Sequence, residues 1–294
     1  MKRIKSGWQL TKKSWAILKD EPGLIKFPIV GGLIALPIAL VLIGPGLYLY
    51  ESDQPIPGIA LMLIGSYLAS VVVYYFGVGL AHNADKRMQG EEVEFRDGMA
   101  LASSRMGAIA GWAFVATVVM AVIRGIQERF GIAGAIVGGL AGAAWGVISF
   151  LAVPVIAIEG TGPIATLKRC GNLVKSGWGE QITGTVAIGG AVFLIGFLPA
   201  TLFIVAGVVL FISGGGGAEA GGGALIAIGV VIMIVAGLIQ QALSTIFGVA
   251  LYRYIATKQA VGGFTEEEMQ SAVRTKKGHL GSGPGMPPTS TSTV

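Results

Sequence analysis

Two adjacent side-chain amides, Gln240 and Gln241, stand inside a stretch that carries no charge between residues 220 and 252. In a stretch so apolar an amide needs a polar partner from the protein, because the surroundings supply none. At helical spacing Gln240 shares a face with Ser244 and Gly248, and Gln241 shares one with Gly237 and Thr245. A second polar band, Ser66, Ser70 and Tyr74, recurs every four residues in another uncharged run, with Tyr67 beside it. Such groups either hydrogen-bond helix to helix, at about 0.6 kcal/mol per contact on average, or line a polar cavity or solute path. The two bands can meet across a pair of helices.

Other residue types offer less chemistry. Gly134, Gly138, Gly142 and Gly146 form a flat stripe that lets a neighbouring backbone approach, either within a bundle or in self-association. His82-Asn83-Ala84-Asp85 has the composition of a catalytic fragment, but no serine or cysteine nucleophile pattern accompanies it, and a polar helix end explains it as well. Glu159 and Glu180 could act as acid and base only if the fold joins them. The glycine-rich segment at 213–223 lacks the Lys-Ser/Thr ending of a phosphate-binding loop and reads as a flexible turn. The single cysteine, Cys170, excludes an intramolecular disulfide and a cysteine metal cage, and His82 and His279 are far apart. No catalytic residue, cofactor or metal is therefore predicted. No charged residue interrupts the middle of any apolar run, which argues against a proton relay.

The elements that must position these residues are read from hydropathy. With 53% hydrophobic residues, 13% charged and a mean hydropathy of +0.74, the chain lies outside the range of soluble domains. Crossing about 30 Å of hydrocarbon takes roughly 20 apolar residues in a helix. Six runs meet or approach that length: 27–50, 57–81, 107–123, 132–158, 182–212 and 224–252. They predict an all-α fold, a polytopic transmembrane bundle of six spans arranged as three hairpins. The basic start Met1-Lys2-Arg3 is followed by Lys12, Lys13, Lys19 and Lys26 before any apolar run, so no cleaved leader is expected.

All but Arg124 and Arg129 of the 21 lysines and arginines fall in segments that a six-span path places on one side. Basic residues mark the cytoplasmic side, so both termini are expected there, in the plasma membrane of a prokaryote. Glu128, four residues after Arg124, can pair with it on the opposite side. The positive excess suits topology and anionic lipid headgroups, not nucleic acid. Membrane lipids are the expected partners, with a membrane-protein partner or a second copy left open.

Each hairpin is preceded by an amphipathic stretch on the basic side: Ile4, Trp8, Thr11, Trp15 and Leu18; then Phe95, Met99, Ala102 and Met106; then Ile164, Leu167, Gly171, Val174 and Trp178. Pro163 suits the first helical position of the third. The chain thus reads as an interfacial helix (1–26), a six-span domain (27–258) and a C-terminal segment (259–294) with a compositionally disordered tail whose final Ser-Thr-Val would suit a PDZ-type groove. The motif Phe-Gly-Val-Gly-Leu at the end of span two returns as Phe-Gly-Val-Ala-Leu at the end of span six, as a repeat would require. The segments SWAILKDEPGLIKFPIV, FRDGMALASSRMGAIAGW and VPVIAIEGTGPIATLKRCGNLVKSGWGEQITG resemble domain-of-unknown-function family 6159, six-span prokaryotic membrane proteins, over about residues 5–260. That resemblance implies a fold and a membrane location and brings no activity or site residues. The residues rank a scaffold or accessory membrane component first, a small-solute transporter or channel with a polar path between spans two and six second, and a lipid-acting enzyme last.

Overall fold

Where no water reaches the backbone, each apolar run must close its own hydrogen bonds, and a helix does so within one segment. The computed structural model describes residues 2–177, 192–213, 218–257 and 259–266, and no strand occurs among them. In chain order the helices are α1 (Lys2–Asp20), α2 (Lys26–Glu51, entered through a 3₁₀ turn at Pro22–Ile25), α3 (Pro55–Met88), α4 (Phe95–Ser104), α5 (Met106–Arg129), α6 (Gly131–Glu159), α7 (Pro163–Gly177), α8 (Leu198–Ser213, entered through a π turn at Phe193–Phe197) and α9 (Ala218–Thr257). Six helical segments are long and apolar enough to cross a membrane: Pro22–Glu51, Pro55–Met88, Met106–Arg129, Gly131–Glu159, Ile195–Ser213 and Ala218–Thr257. They pair as three hairpins, α2 with α3, α5 with α6 and α8 with α9. Residues 182–191 of the fifth apolar run, Trp178, Glu180, glycines 214–217 and the tail from 267 onward lie outside the described residues, as do the side chains of Ile4 and Trp8.

The first and third hairpins use the same close approach. Gly46 faces Gly58 in one and Gly207 faces Gly222 in the other; a Cβ on Gly58 or on Gly222 would sit 2.7 Å from the carbonyl oxygen of its partner glycine. One side chain at either crossing would push the hairpin apart, so these glycines answer a packing need. Away from the crossings the outer faces carry exposed Leu33, Leu40, Val41 and Leu140, as a lipid-facing surface does.

α1, α4 and α7 gather at one end of the bundle, called here the basic end after its lysines and arginines. α4 begins at a capping box in which Asp97 accepts from the Glu94 backbone N–H at 2.8 Å, and buried Asn83 of α3 donates to the Glu94 carbonyl at 2.7 Å. α7 starts at Pro163, the residue expected to open it. The second amphipathic stretch, read as one helix through Met106, is broken: α4 stops at Ser104, Arg105 leaves helical geometry, and Met106 starts α5. The Arg105 guanidinium packs against Gly160, the left-handed residue that ends α6, where a cation complements the helix C-terminus.

Two spans overrun their apolar runs. α3 continues to Met88 and α9 to Thr257, so each reaches beyond the hydrocarbon at the basic end. There the core is dense: residues from Phe76 to Ala81 on α3, Leu151 and Ala152 on α6, and Ile246 to Tyr252 on α9 are nearly all buried. Towards the opposite end α3 is buried on one side only, and a cleft opens.

Candidate site: a polar cleft and the clasp beneath it

The cleft is built on one face of α3. Ser66, Ser70 and Tyr74 are spaced so that their side chains stack along the helix, and all three line a cavity of about 560 Å³. The facing wall comes from α5, whose Thr117, Arg124 and Glu128 also share one helical face, and α6 supplies Trp145. Ser70 and Thr117 lie near the midpoints of their spans, while Arg124 and Glu128 stand at the mouth, away from the basic end.

Hydroxyls in apolar helices usually bond back to the carbonyl one turn earlier. Thr117, Thr201, Thr245 and Thr257 all do so, at 2.7–2.9 Å. Among the described residues Ser66 and Ser70 make no hydrogen bond. Below them the Tyr74 hydroxyl approaches the Trp112 indole and the Ser149 hydroxyl, yet Trp112 Nε1 and Ser149 Oγ remain buried without a partner in hydrogen-bond geometry. Trp112 stacks on Trp145 with ring centroids 5.5 Å apart and planes at 13°, which fixes the floor. The result is a column of uncommitted polar groups running from mid-membrane to the floor. Buried polar groups in this setting call for a partner, either water or the oxygen of a bound molecule.

Arg124 and Glu128 make no ion pair with each other or with any other described residue, although their spacing permits one. Both remain exposed at the mouth. Tyr67, beside the α3 band, packs edge-on to Phe114 of α5 at 6.3 Å.

The second band lies elsewhere. No residue of α9 lines the cleft, so Gln240, Gln241, Ser244 and Thr245 do not meet Ser66, Ser70 and Tyr74. Gln240 donates to Ser244 at 3.1 Å within its own helix, its Oε1 stays buried without a partner, and the Thr245 hydroxyl donates to the Gln241 carbonyl. The glycine stripe of α6 divides in two. Gly134 and Gly138 are buried against the end of α5, where a Cβ would strike the Ile126 carbonyl or the Gln127 side chain, whereas a Cβ on Gly142 or Gly146 would meet nothing within 4 Å.

Beneath the cleft, adjacent residues of α9 hold the other two hairpins. Arg253 donates to Asp85 of α3 through two nitrogens, at 2.6 and 2.5 Å, and Gln89 adds a bond to the same carboxylate at 3.1 Å. Tyr252 donates to Glu159 at the end of α6, at 2.6 Å, and Arg169 of α7 donates to the same oxygen at 2.6 Å. The hydrogen bond to Glu159 raises the Arg169 pKa further. Asp85 and Asn83 are thus engaged structurally, each with a partner on another element, and Glu159 meets Arg169 and Tyr252, with Glu180 outside the described residues. Sequence reading noticed the two carboxylates but not their partners; the available signal was that Tyr252 and Arg253 directly follow the repeated Phe-Gly-Val-Ala-Leu motif. Cys170 is fully buried, and burial followed by the nearby Glu159 carboxylate pushes its thiol up to about 12, so it is neutral and shielded at ordinary pH. Among the described residues no three His, Cys, Asp or Glu side chains group as metal ligands do.

A family model described as "Family of unknown function (DUF6159)" matches residues 56–263, from the start of α3 to just beyond α9. No curated protein matches the chain.

Proposed function

The chain belongs to this family, and since that membership brings no assigned activity, we propose from the cleft itself that the protein takes a small polar molecule into its bundle from the side opposite the basic end. The observation that carries this reading is the pair of serines, Ser66 and Ser70, left without hydrogen bonds at mid-membrane when the threonines of the same helices bond back to their own backbone. A hydroxyl held that way in hydrocarbon is costly unless water or a ligand completes it. The cavity volume falls within the roughly 300–1,000 Å³ range of small-molecule sites.

In this reading the basic end faces the cytoplasm of a prokaryotic cell, because short basic connections are retained there, and the mouth at Arg124 faces outward. The cleft is blind: below Tyr74 the packed core closes the path, so passage across the membrane requires the hairpins to rearrange. Deep in the cleft the lining is hydroxyl and indole without charge, which favours a neutral, oxygen-bearing molecule over an ion. The protein is not an enzyme in this reading, since its thiol is buried and its basic-end carboxylates are held in ion pairs.

Cysteine accessibility tests the cleft. In a Cys170→Ala background, Ser66→Cys, Ser70→Cys and Thr117→Cys should react with a membrane-impermeant methanethiosulfonate added at the mouth side of proteoliposomes, while Leu243→Cys, a buried position on α9, should not. Unreactive cysteines at all three cleft positions would sink the proposal.

A second reading, a scaffold or accessory membrane component, is favoured by the clasp. Asp85–Arg253 and Glu159–Tyr252 tie three hairpins at one end, as a static platform requires. Flux of small polyols into proteoliposomes, abolished by Ser70→Leu, supports solute handling. A stoichiometric membrane partner retained without flux supports the platform.

A further inference from the structure

The amphipathic helix α1 has two unlike flanks. Its underside, Thr11, Ser14 and Leu18, is buried. One flank is fastened to the end of the chain's described part, where Lys13 Nζ donates to the Gly263 carbonyl at 2.7 Å. The other flank carries Lys12, Trp15 and Lys19, three side chains whose spacing of three and four places them along one edge of the helix. Trp15 is 39% exposed.

Beneath that edge lie two apolar grooves, one on each side of Trp15. The first, about 410 Å³, has Lys12 at its rim and Ile195, Ala236 and Leu243 along its walls. The second, about 390 Å³, has Lys19 at its rim and Ile25, Ile29 and Leu238 along its walls. Trp15 and Ile239 line both and form the partition between them. Each groove therefore combines an almost wholly carbon interior with one ammonium-bearing side chain at the edge of the bundle.

The geometry points to a two-chain anionic phospholipid as the occupant: we propose that one acyl chain lies in each groove, astride Trp15, with the phosphate held between Lys12 and Lys19. The lysines are about 10 Å apart along the helix, and long flexible stems let both ammonium groups lean towards one phosphate. A transmembrane helix of a partner protein is about 10 Å across and cannot enter a groove divided by a tryptophan, whereas two thin chains can. Tryptophan at the level of the glycerol is also its preferred depth in a bilayer. The site is separate from the cleft, and its fate does not bear on the solute reading.

Native mass spectrometry of the full chain in mild detergent, titrated with dioleoyl phosphatidylglycerol or dioleoyl phosphatidylcholine, tests it. One phosphatidylglycerol should stay bound under activation that strips phosphatidylcholine. Replacing both Lys12→Gln and Lys19→Gln should weaken phosphatidylglycerol roughly thirtyfold, about fivefold per lysine. The charge-matched pair Lys168→Gln and Lys175→Gln on α7 should leave it unchanged. Trp15→Ala should erase the preference for the two-chain lipid over its lyso form. Equal retention of the two headgroups by the native protein, an equal loss in the α7 control, or a lyso preference unaltered by Trp15→Ala would each overturn the assignment.

Discussion

Breaking the Asp85–Arg253 pair should cost the bundle more than any other single polar change at the basic end. The pair joins α3 to α9 across 168 residues of sequence. Its carboxylate is 9% exposed and its guanidinium 24%, so removing Arg253 leaves a carboxylate with little access to water. Deleting one member of a buried pair costs about 3–5 kcal/mol. The lower figure applies here, because Asp85 lies four residues beyond the apolar run ending at 81 and Gln89 still donates to it. About 3 kcal/mol is a change of roughly 150-fold in the unfolding equilibrium. The assay is equilibrium unfolding in dodecylmaltoside micelles with rising SDS fraction, followed by tryptophan fluorescence and run as a double-mutant cycle with Asp85→Asn and Arg253→Gln. Each single change should lose about 2–3 kcal/mol and the double change clearly less than their sum, because neither charge is then stranded. Lys86→Gln provides the contrast: its pair with Glu91 is exposed on both sides, at 37% and 51%, and its loss should go undetected. A coupling energy below about 0.5 kcal/mol, or a Lys86→Gln loss as large as that of Arg253→Gln, would refute the reasoning.

The glycine stripe of α6 should separate by position: Gly138→Leu must displace the Gln127 side chain and should destabilise by about 1–3 kcal/mol, whereas Gly146→Leu meets open space and should leave unfolding unchanged. The same SDS titration reads both. For Cys170, N-ethylmaleimide at pH 8.5 should label the native protein far more slowly than the SDS-unfolded one. Its raised pKa also has a sign. The folded state keeps a proton that the unfolded state gives up near 9, so the thiol's contribution to stability is intact below pH 9 and is lost as pH rises towards about 12. A Cys170→Ala protein should lack that alkaline part of the stability profile, as read by its pH dependence against the native chain.

The six spans were legible because hydrocarbon imposes a length, and a run either reaches it or does not. Their true ends were less legible, because α3 and α9 continue as helices through charged residues that find partners in the fold, and counting apolar residues stops at the first of them. The α3 band was visible as a period of four, yet which helix faced it was not, since that depends on how hairpins assemble and no single run records it. The expected partner, Gln240 and Gln241, was the most conspicuous polar pair in an apolar run, and conspicuousness on one helix carries no information about the azimuth of another. The actual partner also left a trace: Thr117, Arg124 and Glu128 follow one another at seven and four residues, so they share a face of α5. That trace is hidden when Arg124 and Glu128 are treated only as loop charges that set topology. A charge just inside the end of a span serves two purposes at once, marking the side of the membrane and continuing the polar face of its helix inward, and following the second would have led from the mouth of the cleft to Thr117 and across to Ser70.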